Sequence, residues 1–147
     1  MTNDGQARIN LNTPQQYTSQ QITAAGLTGQ DLQIANSYIT TRGPLPSVAH
    51  LLTHADARGP FIGLPPDRFK AIADKVTVTE EEVVLGLVNV NTAPKQVLLA
   101  LPGITEEIAL QIIGYRAPPG NDLSNIGWLL DVVEPSVLVQ FSPFITT

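Results

Sequence analysis

Few side chains in this 147-residue sequence have types and spacings that could do chemistry. His50 and His54 stand four residues apart, so on a helix both rings could face one metal ion. A zinc site needs a third and a fourth ligand, and Asp56 is the only acid nearby. The intervening Leu51-Leu52-Thr53 also lacks the glutamate of a metalloprotease helix. The pair is therefore expected to be two surface or half-buried histidines. Glu80, Glu81 and Glu82 could hold a cation, but such a run on a turn is ordinarily a solvated tip. No serine lies in a nucleophile-elbow context, and there is no glycine-rich phosphate loop. The absence of cysteine excludes disulfides and thiolate metal sites. Trp128 and Tyr115 read as core or interface aromatics. No catalytic, cofactor or metal residue is assigned, and the chain is not expected to be an enzyme.

Two turns remain as interaction candidates, Gly26-Leu27-Thr28 and Pro102-Gly103-Ile104-Thr105, because each precedes a helix whose first N–H groups lack partners. The second is positioned by the stretch Leu87 to Arg116. Val88-Asn89-Val90-Asn91 alternates with period two, as a short half-buried strand does. A helix follows from Thr92 or Ala93, with Pro94 in its first turn and Val97, Leu98 and Leu101 on one face. Pro102-Gly103 stops it. Thr105 caps the next helix, Glu106 and Glu107 suit its positive end, and Ile108, Ile112 and Ile113 form its buried face.

The same pattern occurs earlier. Arg8 to Pro14 repeats the lead-in of Val88 to Pro94, apolar-Asn-apolar-Asn-Thr included. Gly26-Leu27-Thr28 corresponds to Gly103-Ile104-Thr105, and Thr28 with Asp31 approximates a capping box. Leu32, Ala35, Tyr38 and Ile39 are the apolar positions of the helix that follows. Ser47 to Leu52 matches Asn125 to Leu130 as a short closing helix in each copy. The Asn pairs 10/12 and 89/91 are expected to bond to turns and caps.

These correspondences give a mainly α fold of two tandem helical subdomains with short strands at the edges. The divisions are a flexible leader over 1–7, a degenerate first copy over 8–58, a connector over 59–86, the second copy over 87–134 and a terminal strand over 135–147. In the connector, Phe61 and Ile62 should order a turn-rich segment, and a helix from about Pro66 to Lys75 should bury Phe69, Ile72 and Ala73. Val76–Thr79 and Val83–Val88 read as a hairpin with the three glutamates at its tip.

A hydrophobic content of 43% supports a packed core, and 12 prolines favour short helices with stiff connectors. The net charge is −5; residues 1–58 and 87–116 are each neutral, and 59–86 and 117–147 carry the acidic excess. No basic face appears. No stretch is long and apolar enough to cross a bilayer or act as a signal peptide, so the chain is soluble or its anchor lies outside it.

A helix, a Pro-Gly-Ile turn and a second helix at this spacing resemble the helix-hairpin-helix motif. The ordered set as a whole resembles the minor pseudopilin K family of bacterial type II secretion systems: Asp4-Gly5 with Arg8 to Thr13, Pro46 to Leu52, Asn89 to Leu98 and the Leu101 to Ile104 turn. This resemblance implies two sterile-alpha-motif-like subdomains in a periplasmic protein at the pseudopilus tip. It implies other minor pseudopilins as partners, and a membrane contact only through an N-terminal helix absent from this chain. It also implies that the chain is an excised fragment with an incomplete pilin sheet. Some family members bind calcium through acidic loops, but no such carboxylate cluster is found here to carry over. The alternative is a DNA-binding helix-hairpin-helix module of a competence or DNA-uptake protein. Against it, Thr105 stands where DNA-binding turns commonly have glycine, and Glu106 and Glu107 stand where phosphate would approach.

Overall fold

Asx-type turns set the start of each half of the molecule. Asn10 Oδ1 accepts from Asn12 N–H at 3.0 Å and Asn89 Oδ1 accepts from Asn91 N–H at 2.9 Å, turning the chain sharply out of a two-residue strand. The computed structural model describes residues 7–81 and 85–147, and the chain is mainly α-helical with short strands. The first half runs β1 (Ile9–Asn10), a 3-10 turn (Pro14–Gln16), α1 (Ser19–Ala24), α2 (Gly29–Arg42) and a 3-10 helix (Val48–Leu51). It continues through β2 (His54–Asp56), β3 (Gly59–Phe61), α3 (Pro66–Ile72) and β4 (Val76–Thr77). The second half runs β5 (Val88–Asn89), α4 (Lys95–Leu99), α5 (Glu106–Arg116) and a 3-10 helix (Ile126–Asp131). It ends in α6 (Pro135–Phe141), a 3-10 turn (Ser142–Phe144) and β6 (Ile145–Thr146).

Each half returns to its own first strand. β4 lies parallel to β1 with Val76 opposite Ile9, and β6 lies parallel to β5 with Ile145 opposite Val88. The likeness between the halves therefore reaches further than the sequence pattern suggested. α3 and β4 answer to α6 and β6 in order and spacing, residue for residue from Pro66 and Pro135 onward, so the likeness includes this part of the 59–86 connector. Tyr38 and Tyr115 fall at the same distance from Thr28 and Thr105. The antiparallel β2–β3 hairpin is an addition to the first half.

The halves close each other. α3 packs against Ile126–Asp131 of the second half, and α6 packs against Val48–Leu51 and β2 of the first. Phe69 and Ile72 of α3 and Leu138 and Phe141 of α6 are completely buried there. Each such side chain contributes roughly 1.5–3 kcal/mol by leaving water. Gly127 leaves room for its own helix cap, since a Cβ there would lie 2.8 Å from Asn125 Oδ1, which accepts from Gly127 N–H.

Several sequence expectations are corrected. The 76–88 hairpin does not form: Val76–Thr77 pairs with β1 and Val88–Asn89 with β6, while its remaining positions 82–84 lie outside the described residues. Leader residues 1–6 also lie outside them. The terminal segment is largely helix rather than strand, because Pro135 at the first helical position and the Leu138/Phe141 spacing outweigh the β-branched Val137 and Val139. α4 begins at Lys95 after an extended Pro94, so Thr92 does not cap it, and Val97 is exposed while Leu98 and Leu101 are buried. In α5, Ala109 and Ile112 are buried, and Ile108 and Ile113 are half-buried. Phe61 is buried but Ile62 is 77% exposed. The closing helices are 3-10, and α3 does bury Phe69 and Ile72, with Ala73 just beyond it.

Candidate functional site

The two candidate turns share one construction. Gly26 and Gly103 have φ of +80° and +76°, which L residues avoid, and Leu27 and Ile104 drop into the core beside them. Thr28 then caps α2 and Thr105 caps α5 by accepting from the N–H of Asp31 (3.3 Å) and Ile108 (3.2 Å).

At both turns the helix start is already answered by acid. Asp31, buried, accepts from Thr28 N–H at 2.8 Å and from Arg68, which also donates to Gly26 O at 2.8 Å. Burial opposes ionisation of Asp31, yet the bonds from Arg68 and Thr28 outweigh it and hold the carboxyl below its ordinary value. At the second turn Glu106 pairs with Lys95, and that hydrogen bond depresses its pKa. An approaching phosphate would therefore meet a carboxylate at each turn, Asp31 at the first and Glu106 at the second.

His50 and His54 do not share a helix. His50 lies in the 3-10 segment and His54 opens β2, yet the ring centroids are 5.7 Å apart and nearly perpendicular at 86°. Both are buried, at 9% and 6% exposure, which corrects the expectation of surface or half-buried residues. Tyr38 meets His50 edge-on at 5.7 Å and Phe61 at 5.2 Å, and Phe61 lies 5.5 Å from His54. Arg42 covers Tyr38 and Phe61 and is tied to Asp56 at 2.7 Å, which leaves Asp56 spent on an ion pair. Desolvation, helped by neighbouring His54, lowers the pKa of His50 to about 4.

A polar chain connects this cluster to the other half of the molecule. His50 Nδ1 lies 2.9 Å from Ser47 Oγ, Ser47 Oγ lies 2.6 Å from Ser142 Oγ, and Ser142 donates to Val139 O at 3.1 Å. His54 Nδ1 lies 2.6 Å from Leu52 O, and His54 Nε2 is buried without a hydrogen-bond partner among the described residues. Tyr38 was legible as a helix-face residue, but nothing in the sequence joins Ser47 to Ser142, 95 positions apart.

The corresponding place in the second half is filled differently. Trp128, which matches His50, stacks on Tyr115 at 5.4 Å and donates to Asn91 Oδ1 at 3.2 Å. Tyr115 donates to Asp131, which Lys70 also pairs with.

Glu80 is not a free tip residue. It accepts from Asn10 Nδ2 at 2.8 Å and Thr13 Oγ1 at 3.1 Å, clamping the exit of β4 onto the start of the first half; Glu82 lies outside the described residues. A cleft of about 390 Å³ opens between β4 and β6. Ser47 and Ser142 line it, with Arg8 and Glu81 its only charged lining among the described residues. No three metal-ligating side chains converge among the described residues. No helix among them is long and apolar enough to cross a membrane. No protein-family model matches the chain, and neither a curated protein nor a solved structure matches it.

Proposed function

We propose that this chain is a protein–protein assembly module, a minor pseudopilin of the K type whose two halves are tandem helix-hairpin-helix, sterile-alpha-motif-like subdomains. In this reading it works in the periplasm by docking onto other minor pseudopilins at the tip of a secretion pseudopilus. The observation that carries the reading is the state of the two turns. A helix-hairpin-helix that grips DNA offers free N–H groups and nearby cations to phosphate. Here Asp31 closes the capping box of the first helix start and Glu106 stands at the second, and Arg68 and Lys95 are bonded to these two carboxylates.

The remaining charge supports the same conclusion. At least six of the eight Lys and Arg side chains are bonded to carboxylates or carbonyls among the described residues: Arg8, Arg42, Arg68, Lys70, Lys95 and Arg116. Cations held this way release few counterions from a polyanion, which removes the main source of non-specific nucleic-acid affinity. Apolar side chains are exposed on the second hairpin instead: Val97 and Leu99 on α4 and Leu110 on α5. A surface of that kind suits a protein partner.

Size-exclusion chromatography of the chain, extended by its N-terminal helix, with the family's partner pseudopilins tests the proposal; co-elution is expected, and Leu110→Asp should weaken it. Fluorescence anisotropy with labelled duplex at low salt is the counter-test. Micromolar, salt-sensitive binding there, without co-elution, would replace this reading by the DNA-binding one.

A further inference from the structure

Each half of the molecule builds one parallel pair of two-residue strands, and the bonds inside each pair show which backbone groups are used. Ile9 N–H donates to Lys75 O and Leu11 N–H to Thr77 O, both at 2.9 Å, so Lys75 O and Thr77 face β1. Backbone groups alternate along a strand, so those of Val76 and Val78 point the other way. In the second half Val90 N–H donates to Thr146 O at 2.9 Å, so Ile145 and Thr147 turn their backbone groups away from β5. Two of these outward groups are answered locally: Val78 O accepts from Asn12 Nδ2, and Ile145 N–H donates to Ser142 O. Among the described residues nothing bonds the N–H and C=O of Val76, the N–H of Val78, the C=O of Ile145 or the N–H of Thr147.

Both outer edges border one space. The cleft of about 390 Å³ is lined by residues 76–78 and 145–147, whereas no residue of β1 or β5 lines it, so each edge stands between the cleft and its partner strand. A residue of a packed strand fills roughly 160 Å³, from a rise of about 3.3 Å, a strand spacing of about 4.8 Å and a sheet spacing of about 10 Å. The cleft therefore has room for about two to three such residues, the length of either edge. Val48 and Ile126, at matching positions of the two halves, add apolar wall. Arg8, its only cationic lining among the described residues, is bonded to Asp74.

We propose that this cleft takes an extended, uncharged segment of a partner protein, inserted between β4 and β6 so that its backbone bonds to both edges. Charge complementarity selects this occupant. The free groups are backbone donors and acceptors at strand spacing, and a peptide strand is the partner whose own N–H and C=O dipoles repeat at that interval. An apolar small molecule would fill the volume and leave these groups without partners. The inserted strand joins the two separate two-stranded sheets into one of five, and Val48 and Ile126 suit small apolar side chains upon it. That the segment belongs to another protein rests on the assembly reading above. The peptide assay uses no pseudopilin, so it can fail while co-elution holds, and the reverse.

The full chain is titrated with a fluorescein-labelled heptapeptide, Ser-Val-Thr-Val-Ser-Val-Thr, followed by anisotropy, and amide exchange is read by NMR with and without the unlabelled peptide. One peptide per chain is expected, with exchange at the Val76, Val78 and Thr147 amides slowed at least about tenfold and at Leu11, already bonded to Thr77, little changed. N-methylation of alternate peptide residues removes the donors on one side of the strand and leaves the side chains in place. Methylation in either register should weaken binding at least about tenfold, near 1.4 kcal/mol, because one register serves β4 and the other β6. Val78→Pro removes a donor that β1 does not use, after a residue already in a strand, and should weaken binding at least about fivefold. The exchange and N-methyl readouts need no variant, so a poorly folded Val78→Pro leaves the test intact. No binding at about 1 mM peptide, binding without slowed exchange at Val76 and Thr147, or sensitivity to methylation in one register only would each overturn the proposal. Unchanged affinity in a folded Val78→Pro, or a dimer of the chain in sedimentation that the peptide dissociates, would overturn it as well.

Discussion

Acidification should destabilise this fold through His50 before its carboxylates are reached. The unfolded chain takes up a proton at His50 near the ordinary pKa of 6.5, whereas burial holds the folded-state value at about 4. A depressed folded pKa means that the stability is fully present above 6.5 and is lost as pH falls toward 4, because only the unfolded chain is protonated in that window. At 1.36 kcal/mol per pK unit, the loss between pH 7.5 and 4.5 is about 2.5 kcal/mol. With a urea m-value of about 2 kcal/mol per molar, the denaturation midpoint should fall by about 1 M over that range. Asp56 faces the pair but is held by Arg42 and is depressed by that bond, so it stays ionised across the window. Urea melts of the chain and of His50→Phe, run in parallel from pH 7.5 to 4.5, isolate the histidine's share. Whatever the difference at pH 7.5, the wild type should lose about 2.5 kcal/mol relative to the variant by pH 4.5. Parallel lines for the two proteins, or a His50 titration midpoint near 6.5 by NMR in the folded state, would refute the reasoning.

Gly63 and Asp31 offer sharper local tests. A Cβ on Gly63 would lie 2.0 Å from Leu51 O, within the segment where Leu64 N–H donates to that same oxygen at 2.7 Å, so Gly63→Ala should lose at least about 2 kcal/mol in urea melts. Gly29→Ala, at a helix start with open space around it, should be neutral or slightly stabilising, and equal effects at the two sites would show that backbone approach is not the cause. Asp31→Asn removes the charge that answers Arg68 and one arm of the capping box, and should cost about 2 kcal/mol at pH 7. Because the folded Asp31 pKa is depressed below 3.8, that difference between wild type and variant should persist at pH 5 and shrink only in stronger acid.

What could be read from the sequence was what local chemistry decides. Thr28 with Asp31 and Thr105 with its following turn specify helix starts by short-range hydrogen bonds, and those formed as expected. The Asn10/Asn12 and Asn89/Asn91 pairs behave likewise. Strand partners were not legible, because a two-residue strand such as Val76–Thr77 carries no register information, and its place beside β1 depends on the packing of α3 across onto the other half. The stretch from Val137 to Thr147 looked like a strand, of which only Ile145–Thr146 is one, because its β-branched residues speak louder than a single Pro135, although the burial of Leu138 and Phe141 favours a helix. The histidine cluster was missed for a related reason. Spacing by four suggested a shared helix, and the contact instead arises where a 3-10 segment hands over to β2.

The two halves then differ where a duplicated scaffold leaves room for difference. At the shared position the second half places Trp128, whose one N–H is satisfied by Asn91 and whose face is covered by Tyr115, so that seat is chemically closed. The first half places His50 there and adds the β2–β3 hairpin, which brings His54 and Phe61 against Tyr38. Closing the first seat in the same way would need only a large aromatic at position 50. The histidine instead keeps its Nδ1 tied through Ser47 and Ser142 to the opposite half, beside His54, whose Nε2 is buried without a hydrogen-bond partner among the described residues. Buried polar atoms without partners work against stability, which makes this asymmetry between repeats the place where chemistry is to be sought, ahead of the turns that the repeats share.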